Sequence, residues 1–275
     1  MPKAPDVRLN DGRSMPRLGL GVYKVPQAET VDVVRTAVDA GYRSIDTATL
    51  YRNEAEVGRA VRECGVPRAE LFVTTKLWND SHGHDAALAA FDESMARLAL
   101  DYVDLYLIHW PVPSVDRYVE TWRALLRLQD EGRARSIGVS NFTEAHLTRL
   151  FDETGEVPAV NQVELHPQLG QPELRAFHAE HGIVTEAWAP LARGSLLEHP
   201  VITGIADRYG RTPAQVVLRW HVQHDTVAIP KSVNPERIRA NIAVFDFALD
   251  VGDMAAIDAL DSSSRTGNHP DDVGP

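Results

Sequence analysis

The sequence predicts an α/β fold, a (β/α)8 TIM barrel preceded by a short N-terminal β-hairpin. Two observations carry this expectation. About eight strand-like segments alternate with helical patterns along the 275 residues, the arrangement of a closed parallel barrel. The first barrel strand runs into GLGVYK, residues 19–24. That stretch lacks the third glycine of a dinucleotide-binding turn and enters no immediate helix, which counts against a doubly wound sheet. In such a barrel chemistry gathers at the C-terminal strand ends, and polar residues stand at three successive ones.

In chain order, residues 7–13 form the hairpin, because Asp11-Gly12 readily supplies the positive φ angles of a tight turn. The segment 1–16 is assigned to it. Strands are expected at 18–21, 44–46, 71–76, 103–109, 134–139, 160–164, 184–188 and 227–230. Helical patterns fall at 30–40, 54–64, 85–98 and 115–131. Asn53 reads as an N-cap with Glu56 at the third helical position. In TPAQ, Thr212 is a cap, Pro213 takes the first helical position and Gln215 the third. Residues 262–275 read as an irregular tail rich in Ser, Gly, Asp and Pro. No linker, charge block or low-complexity run divides the chain, so residues 1–275 are assigned to a single barrel domain.

A formal net charge of -11 gives no broad electrostatic reason to bind nucleic acid. The start lacks the apolar core of a signal peptide, and no run reaches the roughly 18 apolar residues of a membrane span. The single cysteine, Cys64, excludes an internal disulfide and a Cys-rich metal site. A cytoplasmic protein without membrane partners is the expectation. His82-Gly83-His84 and the pair His178 and His181 lack an assembled ligand set. They are read as solvent-exposed loop and helix histidines, and no metal is expected.

Four residues at three strand ends form a candidate reaction centre: Asp46, Tyr51 in the loop after it, Lys76 and His109. Each has a plain alternative. Asp46 could cap a turn, Lys76 could extend its charge from the barrel mouth, and a lone His109 is more often a satisfied core histidine. Together they suit carbonyl reduction. A phenol has a pKa near ~10 and holds its proton at neutrality. An ammonium about 4 Å away, at an effective dielectric of about 20, favours the phenolate by about 4 kcal/mol before desolvation opposes it. A carboxylate keeps the lysine charged and placed, and histidine orients a carbonyl oxygen. The tyrosine then gives a proton to that oxygen while a hydride reaches the carbon.

Beyond this chemistry, the chain resembles the aldo-keto reductase superfamily over nearly its whole length. The likeness rests on GYRSIDTA (41–48) with Glu54 and Val57-Gly58, on RSIGVSNF (135–142), and on IPKS (229–232) with Arg237 and Asn241. Phrases such as TTKLWND, DLYLIHWP and AVNQVELHP are most similar to the bacterial 2,5-diketo-D-gluconate reductase branch. The resemblance implies Tyr51 as general acid, Lys76 and Asp46 as its tuning pair, and His109 as the group that orients the substrate.

It also implies NADPH (NADP+) as cofactor. Ser140, Asn141 and Gln162 would meet the nicotinamide carboxamide, and Trp188 would stack on the ring. Leu191, Ser195 and Leu196 lie in a loop that would pass over the pyrophosphate. Gly21, Ile229 and Val233 belong to the same cofactor set. Lys231, Ser232 and Arg237 would hold the 2′-phosphate, with Asn241 at the adenine and Glu236 turned to solvent. Tyr23, Trp78 and Trp110 are expected to wall the pocket for a small carbonyl substrate: aldehyde, ketone, dicarbonyl or keto sugar. The short insertion after His109 and the short tail suggest an open, broadly selective site. A monomer is expected. The competing class is a non-catalytic, nucleotide-sensing interaction subunit on the same barrel, which turnover would distinguish.

Overall fold

The computed structural model describes residues 4–275, so the first three residues of the 1–16 hairpin segment lie outside the described residues. Strands β1 (Asp6–Arg8) and β2 (Ser14–Pro16) pair antiparallel. Gly12 takes the tight turn between them at φ +84°, a conformation that favours glycine. Leu9 and Met15 from this hairpin are buried against Phe72, Val160, Val184 and Val227. Those four residues open or nearly open their strands, so the hairpin seals the N-terminal end of the barrel.

The barrel strands are β3 (Leu20–Gly21), β4 (Ser44–Asp46), β5 (Phe72–Leu77), β6 (Val103–Ile108), β7 (Ala134–Ser140), β8 (Val160–Glu164), β9 (Val184–Trp188) and β10 (Val227–Ala228). They pair in chain order, all parallel. Leu18 bridges Ala228, and the Gly21 N–H donates to the Pro230 carbonyl at 3.2 Å, which brings the first strand against the last and closes the barrel. β10 stops short of the expected residue 230, since Pro230 has no N–H to extend the ladder. The other strand ends fall within two residues of expectation.

Helices α1 (Gln27–Asp39), α2 (Glu54–Glu63), α3 (His84–Leu98), α4 (Tyr118–Asp130), α5 (Glu144–Thr154), α6 (Pro172–Glu180), α7 (Pro200–Tyr209), α8 (Pro213–Gln223), α9 (Pro235–Ile242) and α10 (Val251–Asp258) surround it. The α2 and α3 backbones approach so closely that a Cβ on Gly58 would lie 1.9 Å from the Leu98 carbonyl oxygen. Helix α4 begins three residues later than expected, because Val112 and Asp116 adopt positive φ, at +45° and +57°. The capping box expected at Thr212 forms: its hydroxyl accepts from the Gln215 N–H at 3.2 Å, and Gln215 Oε1 accepts from the Thr212 N–H at 2.9 Å. No helix among the described residues is long and apolar enough to cross a membrane.

Candidate active site

From Asp46 the chain turns through a short 3-10 segment, Thr49–Tyr51, into α2. Asn53 pins this loop to the barrel. Its Nδ2 donates to the Val22 carbonyl at 3.0 Å, and its Oδ1 accepts from the Thr47 hydroxyl at 2.8 Å. It stands at the N-cap position of α2 but makes no side-chain capping bond. The expected capping role is corrected: the two strand-end partners hold the amide away from the helix.

Lys76, near the end of β5, is completely buried. Its Nζ donates to Asp46 Oδ1 at 2.6 Å, Asp46 Oδ2 at 2.8 Å and the Thr47 carbonyl at 2.9 Å. Three N–H groups thus have three close acceptors. The Tyr51 hydroxyl lies farther off, at 3.5 Å. Lys76 loses hydration on burial, which alone would lower its pKa, yet Asp46 and Tyr51 hold the value above normal. Burial pushes the Tyr51 phenol up to about 12, and the lowering influence of Lys76 does not overcome it. Desolvation therefore wins the contest set out from the sequence, and the phenol holds its proton at neutral pH.

His109 follows β6 and is buried; desolvation, then the Lys76 charge, drive its pKa well below 6.5, so the imidazole is neutral. Its ring lies 5.8 Å from Tyr51 and 5.1 Å edge-on to Trp78, and Tyr23 lies 5.0 Å from Tyr51. Tyr23, Tyr51, His109 and Trp78 thus form one aromatic wall. Trp110 is half-buried and is tied through its carbonyl to His82 Nε2 at 3.1 Å. It is absent from the ring contacts of that wall among the described residues.

Two histidines read as solvent-exposed are in fact buried. His82 has the Trp110 carbonyl as partner, and His178 pairs with Asn161 at 2.9 Å and Thr185 at 2.8 Å. Burial lowers each to a pKa of about 4. These hydrogen bonds compensate an inward position that periodicity alone did not reveal. No group of three His, Cys, Asp or Glu among the described residues could hold a metal.

The four residues expected around the nicotinamide are contiguous. Trp188 Nε1 donates to Asn141 Oδ1 at 2.8 Å, and Asn141 Nδ2 donates to the His109 carbonyl at 3.0 Å and Ser140 Oγ at 3.1 Å. Ser140 Oγ donates to the Gln162 carbonyl at 2.8 Å. Leu196 is fully buried, while Leu191 is half-buried and Ser195 exposed in their loop. Ala189, Ala192 and Arg193 all adopt positive φ there, the kind of backbone strain that collects at ligand-binding segments. Gly21 has a structural reason of its own: a Cβ would lie 2.8 Å from the Ile229 carbonyl oxygen.

Lys231, Val233 and Arg237 are exposed, as is Glu236, whereas Ser232 and Asn241 are buried. Neither Lys231 nor Arg237 enters an ion pair among the described residues. Two uncommitted cations and a hydroxyl beside the first turn of α9 fit a phosphate-bearing dinucleotide. Asn234 caps α9 by accepting from the Arg237 N–H at 3.0 Å.

Two carboxyls escaped the sequence reading. Glu186, on β9, is completely buried, and Gln162 Nε2 donates both to it at 2.8 Å and to Asp46 Oδ2 at 2.9 Å. Glu164, at the end of β8, accepts from the Thr266 N–H and hydroxyl, both at 2.6 Å, and from the Gly267 N–H at 3.1 Å. Gly267 lies on Trp188, where a Cβ would meet the indole at 2.5 Å. Asn79 also donates to the Gly274 carbonyl at 2.8 Å. The tail, with one 3-10 turn at Pro270–Asp272, lies against these strand ends and does not leave them bare.

Residues 17–262 match the Aldo/keto reductase family. The chain is 58% identical over 267 residues to an aldo-keto reductase of Mycolicibacterium smegmatis, covering 97% of each. It is 51% identical over 270 residues to the methylglyoxal reductase DkgA of Salmonella typhimurium, covering 98% of each. A variant of Gox0644 solved in complex with NADPH has a TM-score of 0.95 to this fold at 49% identity, with 99% of both chains covered.

Proposed function

The chain belongs to the aldo/keto reductase family, and from that membership we propose that it reduces aldehydes, ketones or dicarbonyls to alcohols with NADPH, Tyr51 giving the proton. The observation that carries this reading is the buried Lys76–Asp46 pair placed beside a phenol that burial keeps protonated. Bound NADPH supplies the hydride that reaches the carbonyl carbon.

The Tyr51 O–H donates its proton to the substrate oxygen as negative charge develops there. Lys76 then stabilises the phenolate that remains, an effect strengthened by its dry surroundings. Asp46 keeps Lys76 ionised and fixed through two hydrogen bonds. His109, neutral, offers one ring N–H to the carbonyl oxygen and orients it. Tyr23 and Trp78 wall the substrate side, with Trp110 beside them.

Ser140, Asn141 and Gln162 hold the carboxamide, and Trp188 stacks on the ring. Leu191, Ser195 and Leu196 carry the loop over the pyrophosphate. Lys231, Ser232 and Arg237 hold the 2′-phosphate, flanked by Val233, with Asn241 at the adenine and Gly21 and Ile229 beside the cofactor path. The methylglyoxal reductase relative favours small dicarbonyls within this substrate class.

NADPH consumption by the purified protein, measured over aldehydes, dicarbonyls and keto sugars, tests the proposal. NADPH binding with turnover of at least one class is the expected result. Binding without any turnover would favour the nucleotide-sensing alternative, and absence of binding would contradict the proposal altogether.

A further inference from the structure

Glu186 stands in register with Gln162 of β8 on one side and Val227 of β10 on the other. A carboxyl sealed inside a barrel requires compensation. Oε2 has it, as acceptor from Gln162 Nε2 at 2.8 Å, while Oε1 has no partner among the described residues. The same Gln162 nitrogen donates to Asp46 Oδ2 at 2.9 Å. A side-chain amide has two N–H donors and one carbonyl acceptor. With both donors directed at carboxyl oxygens from different strands, the amide plane is fixed. Gln162 Oε1 is then the only group of that amide left to offer a ligand, and it can only accept.

We propose that Glu186 is a positioning residue: by holding one N–H of Gln162 while Asp46 holds the other, it presents the Gln162 carbonyl oxygen to the amide N–H of a nicotinamide ring. This inference rests on the cofactor reading above. Its mechanism needs an acceptor at the right reach and does not need a negative charge. Burial raises the Glu186 pKa to about 8, and the Asp46 charge adds to this. Gln162 and Lys76 oppose it. Asp46 from β4 and Lys76 from β5 are the charged groups that act on it. A neutral amide at position 186 retains the acceptor. An aspartate retains the acid but is one methylene too short to hold the contact.

The test compares wild type, Glu186→Gln and Glu186→Asp for binding of NADPH and of adenosine 2′,5′-bisphosphate, which has no nicotinamide, by tryptophan fluorescence without substrate. Glu186→Gln should bind both ligands as wild type does. Glu186→Asp should lose about tenfold in NADPH affinity, the effect of one misplaced hydrogen bond, with adenosine bisphosphate unchanged. Weakened NADPH binding in the isosteric Glu186→Gln, with its far-UV circular dichroism unchanged, would overturn the proposal even if Glu186→Asp does not fold. Unchanged NADPH binding in Glu186→Asp, or equal losses for both ligands, would overturn it too.

The Gln162 side-chain amide signals in the ligand-free protein give a readout independent of the cofactor. They should coincide in wild type and Glu186→Gln at neutral pH and move in Glu186→Asp; signals unmoved in Glu186→Asp would overturn the contact. Wild type that binds neither ligand would overturn the cofactor reading and the ligand named here, while these signals would still decide whether Glu186 holds Gln162.

Discussion

Lys76 Nζ lies 2.6 Å from Asp46 Oδ1, and both side chains are sealed inside the barrel. Lys76→Met would leave Asp46 as a buried charge without its counter-ion. Breaking such a pair from one side destabilises by about 3–5 kcal/mol. Urea unfolding should show a loss of that size together with loss of reduction. A change below about 1 kcal/mol, typical of an exposed pair, would contradict the burial argument.

Glu186 ties stability to pH. Its folded pKa, about 8, lies above the 4.5 of an unperturbed glutamate. The folded protein therefore keeps this proton at pH values where the unfolded chain has released it. The associated stability is complete below the unfolded value, declines above it and is lost as pH rises through about 8. Between those limits, the urea midpoint of wild type should fall more steeply with pH than that of Glu186→Gln. Parallel profiles would show that Glu186 does not titrate in this window.

Glu164 works in the opposite sense. Burial alone would raise its pKa, but hydrogen bonds from His166, Thr266 and Gly267 outweigh this and hold it down to about 2. Its contribution is present above the ordinary glutamate range and is lost as pH falls through about 2. At neutral pH, Glu164→Ala should release the tail, so that amide exchange at Thr266 and Gly267 accelerates sharply while the barrel strands keep their protection. Unchanged exchange there would show that the tail is held elsewhere.

Arg237→Ala should discriminate between cofactors. Loss of a hydrogen bond to a charged group removes about 1.5–3 kcal/mol, so the Kd for NADPH should rise by roughly tenfold to a hundredfold. NADH, which lacks the 2′-phosphate, should be nearly unaffected. Equal weakening of both would place Arg237 away from that phosphate.

The barrel was legible because parallel strands buried on both faces are apolar runs with polar ends, a pattern that survives without tertiary information. Asp46, Lys76 and His109 could be found by that rule, and the structure brings them together with Tyr51. Glu164 obeys the same rule at the end of β8. Glu186 gave a different signal, an acid within an otherwise buried strand, in VTEAW. Asn53 departs from the cap expectation because a cap residue and a loop-pinning amide have the same local sequence; only the positions of Val22 and Thr47 distinguish them. His82 and His178 show the same limit, since their burial depends on partners distant in sequence. The roles of the cofactor and substrate residues belong to the proposed function, because sequence position says which strand end a residue occupies but not what it touches when ligand is bound.

The central claim is that Tyr51 supplies the proton. The measurement is single-turnover reduction by Tyr51→Phe with NADPH binding followed in parallel. A lost general acid should lower the rate by about 10²–10⁴-fold, while the Kd for NADPH stays near wild type because Tyr51 is not in the proposed cofactor set. A Tyr51→Phe protein that binds NADPH and reduces its substrate at close to the wild-type rate would contradict the account.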